Sequence, residues 1–200
     1  MTAAPGPLTI GVLALQGAYD AHARTLTALG ATPRLVRVPQ ELQDLDGLIM
    51  PGGESTTMLK FLDRSGFFDV LQTYVKSTPT FGTCAGAILL ATNVECPAQR
   101  SLGALDITVE RNAYGRQIDS TILTAETTLP GGPLEMVFIR APRIRLTGPG
   151  VETLATRDGF PTLVRSGHLL AATFHPELSH DTRVHQLFLD QVRAHKAAAH

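Results

Sequence analysis

The first half of the chain alternates apolar runs with stretches of helical spacing. Residues 8–15 form a continuous apolar run, suited to a strand buried on both faces of a parallel sheet. Gln16 and Gly17 end it. Residues 19–29 then read as a helix with Ala21, Leu26 and Leu29 inward, stopped by Gly30. A second strand is predicted at 34–38 and a third at 47–50, the latter running into Pro51, Gly52, Gly53, Glu54, Ser55 and Thr56. Helices are expected at 57–62, with Ser55 or Thr56 as cap, and at 67–76. Thr80 and Phe81 lead into a glycine-flanked turn at 82–86, and residues 87–91 read as a helix. Strands alternating with helices predict right-handed crossovers and an open, mostly parallel sheet covered on both faces.

The second half changes character. Short strands are expected at 107–110, 117–124, 136–140, 144–146, 151–155, 162–164 and 169–174, joined by turns rather than helices. This predicts antiparallel strands added to the parallel core. Residues 181–196 form the last helix, with Val184, Leu187, Phe188 and Val192 on one side. The fold class is therefore α/β, and residues 1–200 are expected to form one domain. Residues 1–7 lack the basic and apolar regions of a signal peptide and read as a flexible lead-in.

Composition narrows the function classes. Hydrophobic residues make up 44% of the chain, enough for a sizeable core, and the net charge is -1. Neither a nucleic-acid footprint nor a membrane habit is expected from that balance. No apolar run approaches the roughly 20 residues of a membrane span. Two cysteines, Cys84 and Cys96, do not make a disulfide framework and point to a reducing cytoplasm. Cys96, before Pro97, reads as structural or incidental.

The candidate chemistry starts at Gly82-Thr83-Cys84-Ala85-Gly86. A strand, a tight turn and a helix with this spacing form the thiol counterpart of the nucleophile elbow. The turn exposes the nucleophile, and a helix N-terminus favours a thiolate. Gly82 and Gly86 allow a sharp turn and close packing. On the pentapeptide alone, Cys84 is as readily a small buried apolar residue. His175-Pro176-Glu177 follows an apolar strand. Residues two apart in an extended segment share a side, so His175 and Glu177 supply the base and orienting carboxylate of a triad. Alone, the histidine is more simply a strand-end residue satisfied by a neighbour. Gly52 and Gly53 offer backbone N–H groups for an oxyanion hole, with the Ala85 N–H as second donor. The loop has no Lys-Ser/Thr after its glycines, so it is not a phosphate loop. Arg111 and Arg140 each close a short apolar run and are suited to grip a carboxylate, though either alone is equally a strand-end surface charge. His22, His168, His175, His180, His185, Cys84 and Cys96 form neither a C-x-x-C pair nor H-E-x-x-H. No metal is expected, and His180 and His185 are expected to face solvent.

With Cys84 in its elbow and a late His175-Pro176-Glu177, the chain resembles the class I, or triad, glutamine amidotransferases. Four further blocks resemble the glutaminase subunits of pyridoxal 5′-phosphate synthases. These are 11–17, 51–56, 110–117 and 138–142. The resemblance runs in order from about Leu8 to the last helix; 129–135 is less familiar and reads as a variable loop. It implies a flavodoxin-like three-layer α/β/α fold and hydrolysis of L-glutamine to L-glutamate and ammonia. Cys84 would be nucleophile, His175 general base and acid, and Glu177 the orienting carboxylate. The backbone of Gly53 and Ala85 would hold the oxyanion. Gly53, Glu54, Ser55, Arg111, Ile139 and Arg140 match glutamine-binding positions, and Gln16 a position near the partner interface. The implied partner is a separate (β/α)₈ synthase subunit forming the vitamin B6 cofactor from sugar phosphates and channelled ammonia. No cofactor is implied for this chain.

Two other readings use the same residues. A stand-alone thiol peptidase or γ-glutamyl hydrolase would use the elbow and His-Pro-Glu equally well, but leaves the Arg111 and Arg140 blocks unexplained. A non-catalytic interaction module would have no need of an intact Cys84, His175 and Glu177.

Overall fold

The computed structural model describes residues 6–111, 113 and 121–198. Part of the block 110–117 (Asn112, Tyr114, Gly115, Arg116 and Gln117) lies outside them, as do residues 1–5 of the lead-in and residues 117–120 of one expected strand. Five strands form a parallel core: β1 (Thr9–Leu13), β2 (Thr32–Val36), β3 (Gly47–Met50), β4 (Thr80–Thr83) and, much later, β12 (Leu169–Ala172). Their spatial order is β2-β1-β3-β4-β12, all neighbours parallel. Counting β12 as the fifth, this is the 2-1-3-4-5 order of flavodoxin-like folds, whose ligand crevice opens at the carboxyl ends of the strands. Two antiparallel strands, β10 (Glu152–Arg157) and β11 (Phe160–Ser166), extend the sheet beyond β12.

The continuous apolar runs are explained by burial on both faces. In β3, Leu48 and Met50 join one core while Ile49 joins the other; in β12, Leu169 and Ala171 face oppositely to Leu170 and Ala172. One face is covered by α2 (Ser55–Arg64), α3 (Phe67–Tyr74) and α4 (Ala85–Leu90), through Met58, Leu62, Phe67 and Leu71 among others. The other is covered by α1 (Tyr19–Ala28) and α5 (Arg183–Ala198), through Leu26, Val184, Phe188 and Val192. Among the described residues, no helix is long and apolar enough to cross a membrane.

The expected antiparallel additions to the parallel core are present as β10 and β11, but the other late strands need correction. β12 belongs to the parallel core. The remaining strands form two small separate sheets. One contains β5 (Ala91–Glu95), β6 (Leu105–Glu110) and β9 (Arg143–Thr147), in which β5 and β6 run parallel. The other is the hairpin of β7 (Thr121–Ala125) and β8 (Leu134–Phe138). The helix after the elbow stops at Leu90, where Ala91 turns into β5. The second strand lies two residues earlier than expected, because its register on β1 pairs Thr9 with Thr32. Ser55 is the first residue of α2 rather than its cap. Glu54 holds the cap position, and the Ser55 hydroxyl donates to Gln99 Oε1 at 3.0 Å.

Candidate active site

Five loops after strand ends, those following β3, β4, β6, β8 and β12, converge on one cleft. After β4, Cys84 adopts φ 47° and ψ -103°, a left-handed backbone that directs its side chain out of the sheet at the start of α4. The flanking glycines do not supply the sharp bend; their work is close packing. A Cβ on Gly86 would lie 1.9 Å from the Met50 carbonyl oxygen, and one on Gly82 would lie 2.6 Å from the Gly86 backbone. Only bare backbone lets the helix start against β3 and β4. The Cys84 N–H donates to Ala172 O at 2.8 Å, tying the elbow to the end of β12.

Three residues past β12, the His175 N–H donates to Val137 O at 2.8 Å, which fixes the second partner. The segment is not extended. Pro176–Leu178 is a 3₁₀ turn with proline at its first position, where a missing N–H is harmless. The turn brings Glu177 back onto the ring, with His175 Nδ1 2.7 Å from Glu177 Oε1. Both side chains are buried. Burial opposes a charge on His175, but hydrogen bonds to Cys84 and Glu177, and their negative charges, raise it from 6.5 to about 10. Burial likewise opposes charge on Glu177, but His22 and His175 hold its carboxyl below the ordinary carboxylate range. Cys84 and His175 thus share the cleft wall, and the His175–Glu177 hydrogen bond continues the line to the interior.

The cleft is lined by Gly53, Glu54, Ser55, Cys84, Ile88, Arg111, Ile139, Arg140 and His175, and encloses about 160 Å³. That is well below the roughly 300–1,000 Å³ typical of drug-sized ligands, and suits a molecule of amino-acid size. Every expected substrate-binding residue is on this wall. Ile88 is an additional one, four residues after Cys84 and so on the same side of α4. Gly52, expected to offer a backbone N–H, packs behind this wall: a Cβ there would fall 2.3 Å from His175 Cε1 and 3.2 Å from Cys84 Cβ. The loop passes flat against the catalytic pair, which is why the sequence carries a second glycine beside Gly53. Ala85 opens α4, so its N–H lacks an intrahelical acceptor.

Charge in the cleft is set by two arginines and a glutamate. Arg111 Nη2 lies 3.8 Å from Glu54 Oε1, and Arg111 Nε is buried without a hydrogen-bond partner among the described residues. Arg140 sits at φ 45° and is exposed. Gln16 lies outside the cleft wall. Its amide clamps the glycine loop, donating to Glu54 O at 3.2 Å and accepting from the Glu54 N–H at 3.1 Å. Among the described residues no group of three or more His, Cys, Asp or Glu is arranged to hold a metal ion. One expectation fails here: His185 is fully buried rather than solvent-facing, and so is His22. Histidine on a helix gives no periodic signal distinguishing the two outcomes.

Comparison with known proteins places this geometry. The model of the SNO glutamine amidotransferase family matches residues 12–194. The chain is 62% identical over 186 residues to pyridoxal 5′-phosphate synthase subunit PdxT of Koribacter versatilis, covering 93% of this chain and 96% of that protein. It is 51% identical over 189 residues to the subunit of the same name from Solibacter usitatus, covering 92% and 98%. Among solved structures it superposes on a glutamine amidotransferase with a TM-score of 0.85 at 46% identity, covering 92% of this chain and 98% of that one. A second glutamine amidotransferase, from Thermotoga maritima, shares the fold at 14% identity and a TM-score of 0.59 over 94% of this chain and 85% of that one.

Proposed function

The chain belongs to the SNO glutamine amidotransferase family, and from that premise we infer how its site works. The protein is the glutaminase subunit of a pyridoxal 5′-phosphate synthase. It hydrolyses L-glutamine to L-glutamate and ammonia and supplies the ammonia to a separate synthase subunit. The whole chain acts as one amidotransferase domain. Its place of work is the cytoplasm, a reading supported by two free cysteines.

Cys84 attacks the side-chain amide carbon of glutamine as a thiolate. The resulting oxyanion is held by the backbone N–H groups of Gly53 and Ala85. His175 protonates the departing nitrogen, ammonia leaves, and a glutamyl thioester remains on Cys84. His175 then takes a proton from water, which attacks the thioester; glutamate departs and the thiol is regenerated. Glu177 fixes the tautomer of His175 and stabilises its imidazolium. Arg111 and Arg140 receive the substrate carboxylate, and Glu54 lies where it can take the amino group.

The observation that carries this reading is the buried Cys84–His175–Glu177 line at the foot of a small cleft with arginines at its mouth. The test is a substrate comparison in the presence of the synthase subunit: free glutamine, γ-glutamyl peptides and ordinary peptides. Glutamate release from free glutamine alone is expected. Faster turnover of γ-glutamyl peptides would make the protein a general thiol hydrolase.

A further inference from the structure

Behind the triad lies a chain of buried polar groups that the mechanism above does not use. His22 on α1 and His185 on α5 are both fully buried, and His22 Nδ1 lies 2.9 Å from His185 Nε2. The other nitrogen, His22 Nε2, lies 3.2 Å from Thr83 Oγ1 and 3.4 Å from Glu177 Oε2. Glu177 Oε1 is taken by His175, whereas Oε2 is buried with no hydrogen-bond partner among the described residues, and His22 Nε2 at 3.4 Å faces it. Phe81 packs edge-on against both imidazoles, with ring centroids 6.3 Å from His22 and 6.0 Å from His185.

The tautomers follow from matching donors to acceptors. If His22 carried its proton on Nδ1, the bare Nε2 lone pair would face a carboxylate oxygen. His185 would then have to carry a proton on Nδ1, a buried N–H with no acceptor. The opposite arrangement resolves both conflicts. His185 Nε2–H donates to His22 Nδ1, and His22 Nε2–H points at Glu177 Oε2 and Thr83 Oγ1. The orphan is then the bare Nδ1 of His185, a lone pair rather than a proton. Burial pushes both imidazoles down, His185 to about 3, so each is neutral at pH 7. The titratable groups facing His22, among the described residues, are Glu177, His175 and His185.

We propose that His22 is a positioning residue of the reaction: oriented by His185, it donates its Nε2–H to Glu177 and keeps the carboxylate turned toward His175. The proposal rests on the triad reading above. It gives Glu177 two N–H donors on opposite oxygens, one from each imidazole. It also accounts for a polar pair where apolar side chains would avoid the desolvation cost of two imidazoles.

Two conservative substitutions separate this role from simple packing. His22→Gln places an amide near the Nε2 position and can still donate to Glu177. His22→Asn reaches only the Nδ1 position, keeping the bond to His185 and losing the one to Glu177. With the synthase subunit present, His22→Gln should stay within about threefold of wild-type kcat. His22→Asn should lose about tenfold or more in kcat with KM little changed, and its acid limb in kcat/KM should rise by roughly one pH unit, the size expected for losing a hydrogen bond to a buried charge. Equal kcat and equal acid limbs in the two variants would overturn the proposal. A second readout needs no variant. In ¹⁵N-histidine spectra of the wild-type protein at pH 7, His22 should be the Nε2–H tautomer, and an Nδ1–H tautomer would overturn the proposal too. Wild type and Cys84→Ser run in the same assay keep the two levels apart. If wild type is inactive or Cys84→Ser is not, the triad reading falls; if both behave as expected while Asn and Gln match, only the role of His22 falls.

Discussion

At the scale of single residues, His175 is held between Cys84 and Glu177, and that sets its chemistry. The hydrogen bond to Glu177 on Nδ1 and the interaction with Cys84 together favour the imidazolium against the cost of burial. An imidazolium beside sulfur is poised to give its proton to departing ammonia. His175→Asn should therefore abolish glutamate formation as completely as loss of the nucleophile, since triad members act as a unit. Glu177→Gln keeps a side chain that can still accept from Nδ1, and should be about 10–100-fold milder, the margin seen between orienting and proton-transferring members of a triad. Steady-state glutamate assays on both variants decide this, and a worse Glu177→Gln in a folded protein would contradict it. The same pairing has a stability consequence. The folded-state value for His175 lies above its unfolded 6.5, so its stabilising contribution is fully present below 6.5 and fades as pH rises through about 10. The melting temperature of wild type should thus exceed that of His175→Asn by a margin that shrinks between these limits; a constant margin would exclude the coupling.

At the scale of elements, the elbow works because β3, β4 and α4 approach more closely than side chains allow. Alanine for a helical glycine ordinarily gains about 0.5–1 kcal/mol. At Gly86 the new Cβ would meet the Met50 carbonyl at 1.9 Å, and backbone in a central strand cannot yield as a flexible side chain would. Over-packing costs about 1–3 kcal/mol, so Gly86→Ala should be destabilising on balance and should move Cys84 off its line with His175. Urea unfolding together with the glutaminase assay tests both; a more stable, fully active variant would refute the packing account. The same elements show what a sequence discloses. Continuous apolar runs revealed β1 and β3 as parallel strands because both their faces are buried, while the direction of β12 was not legible, and glycine spacing revealed the elbow because the packing demands it. β5 was hidden, since Thr92 and Asn93 leave its pattern without alternation and its pairing with β6 is non-local. The partition into one large and two small sheets was hidden for the same reason. Every cleft residue but Ile88 could be named from motifs, whereas burial of His22 and His185 is decided by how α1 and α5 pack on β4.

At the scale of the whole molecule, the site opens at the carboxyl edge of the sheet, where Gly53 is exposed while Gly52 is buried against His175. Among the described residues the Gly52 carbonyl accepts only a long bond, 3.3 Å, from the Ala18 N–H, and Gln16 holds the loop through Glu54. A peptide between two glycines turns at low steric cost. A partner seated over Gln16 and Gly53 would therefore hold the oxyanion donor in its productive orientation. One such donor is worth about 10²–10³ in rate, so adding the synthase subunit should raise glutamine turnover by up to that factor, and equal turnover with and without it would contradict the idea. The chemistry as a whole stands on Cys84 as the nucleophile of a glutaminase. It is tested most directly by glutamate formation from saturating L-glutamine, with the synthase subunit present, by wild type and by Cys84→Ser. The serine variant should remain folded, still bind its partner, and lose at least about a thousandfold in turnover, because its hydroxyl is far less acidic than the thiol it replaces. Turnover by that variant within about tenfold of wild type would show that Cys84 does not carry the reaction.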